Sequence, residues 1–190
     1  MSKIIGLTGG ISVGKTMVAN LFREHQVLVI DLDEIVHDLE DNNEQLINEI
    51  AKEFGPGVLS NNKIDRKALG RIVFGNHFKL KKLTNIINPY LLREINQQLT
   101  GDLVILDAPT LFENALYNFV DEIIMVTCDQ LIQLKRLINR NQISISKANL
   151  LINSQWPSMI KQQLSDYVID STFGIDSLEK QVNQLLNKLR

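Results

Sequence analysis

The run Gly9-Gly10-Ile11-Ser12-Val13-Gly14-Lys15-Thr16 carries the residue types of a phosphate cradle. Gly9 and Gly14 permit backbone angles that a Cβ forbids, so successive N–H groups can turn inward. Those amides, with the positive end of a following helix, attract an anion. Lys15 adds a mobile positive charge for the β- and γ-phosphates, and the Thr16 hydroxyl suits a Mg²⁺ ion. An apolar run, Ile4 to Leu7, precedes the glycines, and an apolar helical stripe through Val18, Leu21 and Phe22 follows. That context of strand, turn and helix is what a P-loop requires. The pattern predicts a site for the phosphates of a nucleoside triphosphate and leaves the acceptor unnamed.

Carboxylates stand where such a site would use them. Val27 to Ile30 reads as a buried strand ending in Asp31-Leu32-Asp33. Open α/β sheets place ligands at the carboxyl ends of their strands. While the chain stays extended, both aspartates face one side; either could instead cap the helix beginning near Glu34. Leu103 to Leu106 followed by Asp107-Ala-Pro109 has the Walker B form, an apolar strand ending in a carboxylate for Mg²⁺ or its waters. A helix from Asp129 carries Arg136 and Arg140 on one face. On a lid, these could neutralise charge on a transferring phosphoryl group.

Five short apolar strands must position these groups, the last at Asp166 to Ile169. Their alternation with helices predicts an α/β P-loop NTPase fold, a five-stranded parallel sheet with helices on both faces. Between the second and third strands the pattern becomes helical, with Gly55-Pro56-Gly57 as a break, Asp65 as an N-cap, and Asn88-Pro89 as a turn from which Pro89 starts a helix. The expected division is a nucleotide-binding core of 1–33, 101–130 and 164–190, a helical acceptor lobe of 34–100, and a small helical lid of 131–163. In the acceptor lobe, Arg66, just after the Asp65 cap, is the basic residue singled out for a role beyond the surface.

The chain has 190 residues, 44% hydrophobic and 22% charged, with a formal net charge of −2. That balance gives no general attraction to nucleic acid or anionic membrane. Its apolar runs are too short to span a bilayer, and its N-terminus has no cleavable signal pattern. With one cysteine, Cys128, no intramolecular disulfide is available. The expected setting is cytoplasmic, and Cys128 reads as an inert core thiol. His25, His37 and His77 have no metal-ligand spacing.

Several stretches in order resemble the dephospho-coenzyme A kinase family. They are Ile5 to Ile11 with Gly14-Lys15-Thr16, Val29-Ile-Asp-Leu-Asp33, Ile64-Asp65-Arg66 through Phe74, and Leu106-Asp-Ala-Pro109 with Leu111-Phe-Glu113. Gln133 through Arg140, Gln155-Trp-Pro157 and Asp166 to Asp170 continue the series. The resemblance implies phosphorylation of the ribose 3′-hydroxyl of dephospho-CoA, with ATP and Mg²⁺ as cofactors and CoA and ADP as products. It implies that Gly9, Gly10, Ile11, Ser12, Val13, Gly14, Lys15, Thr16 and Met17 hold the nucleotide, with Arg136 and Arg140 acting from the lid. Asp33 would receive or orient the hydroxyl proton. Thr16, Asp31 and Asp107 would organise Mg²⁺, and Asp31, Asp33, Arg66 and Asp107 would face the acceptor. The partners are then small molecules, with the chain a monomer or weak homo-oligomer.

This chain departs from the family at several points. Ser12-Val13 stands where the family has Gly-Ser, and Asn88-Pro89 where it has His-Pro, with the following arginine displaced to Arg93. Thr110 replaces a leucine, and Leu151 an arginine of the second lid helix. These changes bear on acceptor affinity and lid closure more than on ATP binding. Two other readings are a P-loop kinase for a nucleoside or nucleotide, and a nucleotide-binding regulatory relative without turnover.

Overall fold

A computed structural model describes residues 2–189. It separates into two compact units, 1–30 with 100–190 and 31–99. In chain order the elements of the first unit are β1 (Lys3–Gly9), α1 (Lys15–Glu24) and β2 (Leu28–Asp31), whose last residue opens the second unit. That unit holds α2 (Leu32–Asn42), α3 (Glu44–Phe54), the short ribbon β3 (Leu59–Ser60) and β4 (Lys63–Ile64), α4 (Arg66–Val73) and α5 (His77–Gln98). The chain returns to the first unit with β5 (Leu103–Asp107), β6 (Glu122–Thr127), α6 (Gln130–Asn141), α7 (Ile145–Asn153), α8 (Ser158–Gln163), β7 (Tyr167–Asp170) and α9 (Ile175–Leu189).

The five long strands form one parallel sheet in the order β2-β5-β1-β6-β7. β1 is central, so the loop that follows it emerges in mid-sheet. Side chains alternate along each strand. Ile5 and Leu7 of β1, Ile105 of β5 and Ile124 and Val126 of β6 share a core with Val18, Leu21 and Phe22 of α1 and Leu178, Val182, Leu185 and Leu186 of α9. Each such side chain contributes about 2 kcal/mol by burial, which seats α1, and hence the loop before it, firmly on the sheet. Val104, Leu106 and Met125 alternate with that set and are also buried, so the strands read as apolar throughout. Asp121 and Asp166 complete the strand starts. Each carboxylate accepts a strand amide, Ile4 N–H at 2.7 Å and Ile123 N–H at 2.8 Å.

In the helical unit, the start of every α-helix is capped by Asp or Asn. Asp31, Asn43, Asp65 and Asn76 accept first-turn amides of α2, α3, α4 and α5. Two expectations fail here. Pro89 does not start a helix; it lies inside the 22-residue α5. A proline costs a helix interior about 3 kcal/mol, but Leu83, Ile87, Tyr90, Leu91 and Ile95 are buried on both sides of it. Packing of both halves outweighs the lost bond. The unit is also not wholly helical. Asn61 and Asn62, at φ 51° and 62°, make the tight turn joining β3 and β4, a conformation that Asn tolerates better than most residues.

A buried ion pair ties α8 to the segment after β5 in the sheet unit. Lys161 of α8 is only 1% exposed, and its Nζ lies 2.6 Å from Glu113 Oε1. The same oxygen accepts the Trp156 N–H at 3.0 Å. Removing one partner of a buried pair leaves the other charge uncompensated. Lys161→Met is expected to lower the unfolding free energy by about 3 kcal/mol, read from urea denaturation. A loss under about 1 kcal/mol, the usual worth of an exposed pair, would show that water already screens these charges.

Candidate active site

The phosphate loop is built from Gly10 to Gly14, between β1 and α1. Two residues in it take left-handed backbone angles, Ser12 at φ 59° and Gly14 at φ 98°. Gly14 suits this because it has no Cβ. A Cβ there would also come within 3.1 Å of Ser171 Oγ. As the N-cap of α1, Gly14 offers no side-chain acceptor; the Met17 N–H donates to its carbonyl at 3.0 Å, which leaves the Lys15 and Thr16 amides and the helix dipole to an anion. Ser12 is less comfortable. Its hydroxyl is buried without a hydrogen-bond partner, and its left-handed angle disfavours any Cβ. Val13 points into the core and packs with β1 and α1.

Lys15 is half-buried, and its ammonium pairs with the carboxylate of Asp107 at the end of β5. β1 and β5 are neighbours with Leu7 opposite Asp107, so the loop after β1 brings the lysine that opens α1 to the Walker B carboxylate at the end of β5. Thr16 and Met17 are exposed on the first turn of α1.

The base of the loop is held from α6 and the segment after β7. Arg136 donates to Ser171 Oγ and to the Ser171 carbonyl, both at 2.9 Å, and to the Val13 carbonyl at 3.3 Å. The Ser171 hydroxyl also donates to the Val13 carbonyl. Arg136 is thus engaged with the loop backbone, whereas Arg140 is exposed and bonds Asn141 Oδ1 at 3.0 Å. Gln133 and Gln155 hold the Ile11 peptide from the same hairpin, at 2.8 Å each. Ser171 carried no sequence signal, because a lone Ser has many uses. Gln133, Gln155 and Asp166 stood out only through the family resemblance.

In the helical unit, α2 begins at Leu32, one residue after β2 ends. The chain is therefore not extended through Asp33, and the two aspartates are not strand neighbours on one side. Asp31 is the cap: its Oδ1 accepts the Asp33 N–H at 2.9 Å and the Glu34 N–H at 3.2 Å. Asp33 is exposed in the first helical turn. Arg66 is anchored to α2, with Nε 2.7 Å from Glu40 and Nη2 2.9 Å from Asp41 and 2.8 Å from the His37 carbonyl. Burial raises the Glu40 carboxyl above its ordinary value, against the opposing pull of Arg66. In the sheet unit, burial raises the Cys128 thiol, in keeping with an inert cysteine.

A glycine-rich loop in mid-sheet, opening a helix and paired through its lysine to a strand-end carboxylate, is the architecture of the P-loop kinases. Within that class the chain belongs to the dephospho-CoA kinase family, whose sequence profile matches residues 3–176. A dephospho-CoA kinase of Carboxydothermus hydrogenoformans is 39% identical, with 97% of this chain and 93% of that protein aligned. The solved dephospho-CoA kinase of Campylobacter jejuni is 25% identical, with a TM-score of 0.70 over 100% of this chain and 98% of that one. A crystal structure of a Thermus thermophilus protein aligns over the same shares at 28% identity with a TM-score of 0.84.

Two substitutions separate strain from need in the loop. Ser12→Gly removes a disfavoured angle and an unpartnered hydroxyl, and is expected to raise stability by about 1 kcal/mol. Gly14→Ala imposes a Cβ on a left-handed residue and should lower it by about 1–2 kcal/mol. Thermal unfolding reads both, at roughly 2–4 °C per kcal/mol for a chain of this size. A lower melting temperature for Ser12→Gly would show that the serine is not strained.

Proposed function

We propose that the chain transfers the γ-phosphoryl group of ATP to the ribose 3′-hydroxyl of dephospho-CoA, giving CoA and ADP. This is the final step of coenzyme A biosynthesis and the reaction for which its family is named. The observation that carries the reading is the Lys15–Asp107 pair at the mouth of the Gly9–Thr16 loop, in a chain matched to that family over 3–176. Kinases for other acceptors, and a relative without turnover, are not favoured.

In this reading the loop from Gly10 to Met17 binds the nucleotide phosphates through the amides of Ser12, Gly14, Lys15 and Thr16, since the Ile11, Val13 and Met17 N–H groups already donate to Gln155 and to the Gly10 and Gly14 carbonyls, and the α1 dipole favours their charge. Lys15 leaves Asp107 to follow the γ-phosphate. Phosphoryl transfer is loose and depends on aim and electrostatics more than on covalent help from the protein. Asp33, exposed in the first turn of α2 with only its backbone N–H given to the Asp31 cap, orients the acceptor hydroxyl and takes its proton. Arg140 supplies charge from the lid. Arg136, held by Ser171 and Val13, serves the loop first. Arg66, held by Glu40 and Asp41, shapes the acceptor lobe and meets the substrate from that anchored position.

Thr16 and Asp107 fit Mg²⁺, a hard cation that takes one or two protein oxygens and leaves the rest of its shell to phosphates and water. Asp31 is a third candidate, with Oδ1 engaged by amides. When bound, the ion neutralises charge on the β- and γ-oxygens. The compact unit 31–99 supports the acceptor lobe, and the α6–α7 hairpin supports a lid over 131–163. No helix among the described residues is long and apolar enough to cross a membrane. We place the chain in the cytoplasm, acting on small molecules as a monomer or weak homo-oligomer.

A coupled assay should detect CoA from dephospho-CoA and ATP. Transfer to a nucleoside monophosphate but not to dephospho-CoA would overturn the assignment. Lys15→Ala is expected to lower kcat about 100-fold or more with an unchanged unfolding transition; near-normal kcat would remove it from the mechanism. Asp33→Asn should lower kcat about 100- to 10,000-fold with little change in the KM for ATP. A loss confined to KM would reassign Asp33 to binding.

A further inference from the structure

Two glutamines from the α6–α7 hairpin close on one residue of the phosphate loop. Gln155 Oε1 accepts the Ile11 N–H at 2.8 Å, and Gln133 Nε2 donates to the Ile11 carbonyl at 2.8 Å. Gln133 lies in the first turn of α6 and is buried, while Gln155 follows the end of α7. Gly10 leaves room for them, since a Cβ there would stand 3.0 Å from Gln133 Nε2 and 3.7 Å from Gln155 Oε1.

A peptide group is planar and trans, so holding its carbonyl directs its N–H the opposite way. The Ile11 carbonyl shares a plane with the Ser12 N–H, and Gln133 therefore sets where that N–H points. The Ile11 N–H shares a plane with the Gly10 carbonyl, which receives the Val13 N–H at 3.4 Å. Gln155 holds this second plane. Ser12 itself is left-handed, and its buried hydroxyl bonds nothing. The restraint on this turn comes from the two glutamines and not from the serine.

We propose that Gln133 and Gln155 are positioning residues for phosphoryl transfer, which lock the two peptide planes flanking Ile11 so that the Ser12 N–H is aimed at the nucleotide phosphates. The Ile11 N–H then belongs to Gln155 and the Ser12 N–H to the anion. The proposal rests on the phosphotransferase reading above and assigns to the hairpin a second duty, that of setting the loop.

The test uses the full chain with Gln133→Met and Gln155→Met, which keep side-chain length and remove the bonds. Expected for each is a 10- to 100-fold fall in kcat/KM for ATP, the size of loss that misplaced groups produce. The KM for dephospho-CoA should stay within twofold and the melting temperature within about 2 °C. The double variant should be little worse than the poorer single, because both act on one loop conformation. Amide exchange should quicken at least tenfold at Ile11 in Gln155→Met and stay slow in Gln133→Met. A kcat/KM for ATP within threefold of wild type, or equal rises in both KM values with a fall in melting temperature, overturns the proposal. If the methionine variants fold poorly, Gln155→Glu keeps the acceptor, and rapid Ile11 exchange in it would be equally fatal. Calorimetry with ADP separates the two readings. A wild type that binds ADP but makes no CoA overturns the assigned reaction, whereas variants that bind ADP as tightly as wild type overturn the positioning role.

Discussion

A phosphate loop has to hold backbone N–H groups pointing at an empty centre, and a chain left to itself does not do this. Inward amides forgo their own hydrogen bonds, and left-handed residues forgo favourable angles. In this chain the restraint comes from outside the loop. Val13 is anchored twice, by its side chain in the core and by its carbonyl, which accepts from Ser171 and Arg136. Ile11 is held on both faces by Gln133 and Gln155. The loop is therefore as rigid as the sheet, α6 and the segment after β7 that grip it. Its short length conceals that dependence.

The same constraint bears on Ser12-Val13. A glycine at 12 would meet the left-handed angle freely, and a polar residue at 13 would lie beside the core. Val13 fills apolar space with β1 and α1, while Ser12 carries a Cβ at φ 59°. A better-packed position next to a strained one leaves the loop's shape intact. It shifts the work of keeping that shape onto the side chains around it.

Charge is arranged by a similar logic. Lys15 at the start of α1 and Asp107 at the end of β5 neutralise each other, and a half-buried lysine is not left without a counterion. Arg66 is tied to Glu40 and Asp41, Lys161 to Glu113. Arg140 differs: it is exposed, and its guanidinium donates to the side-chain amide oxygen of its neighbour Asn141. A long cation on the surface of a hairpin can reach a ligand at little cost in broken bonds, whereas Arg136 would have to give up three.

The sequence by itself determined the strands, the phosphate loop and the Walker B carboxylate, because these depend on short-range rules. Apolar runs of four to six residues, a glycine where φ is positive and a lysine directly after it are local facts. The cap at Asp65 and the start of a helix at Asp129 were legible for the same reason. Tertiary structure decided what depends on residues far apart in the chain. It placed β1 between β5 and β6, carried α5 straight through Pro89 by packing both its halves, and made Asp31 the helix cap by ending β2 one residue before α2. It also brought Gln133, Gln155 and Ser171 more than 100 residues along the chain to the backbone of Ile11 and Val13. No local pattern marks a glutamine whose partner is a distant peptide, since the hydrogen bond that gives it meaning exists only once the sheet and hairpin have brought the two together.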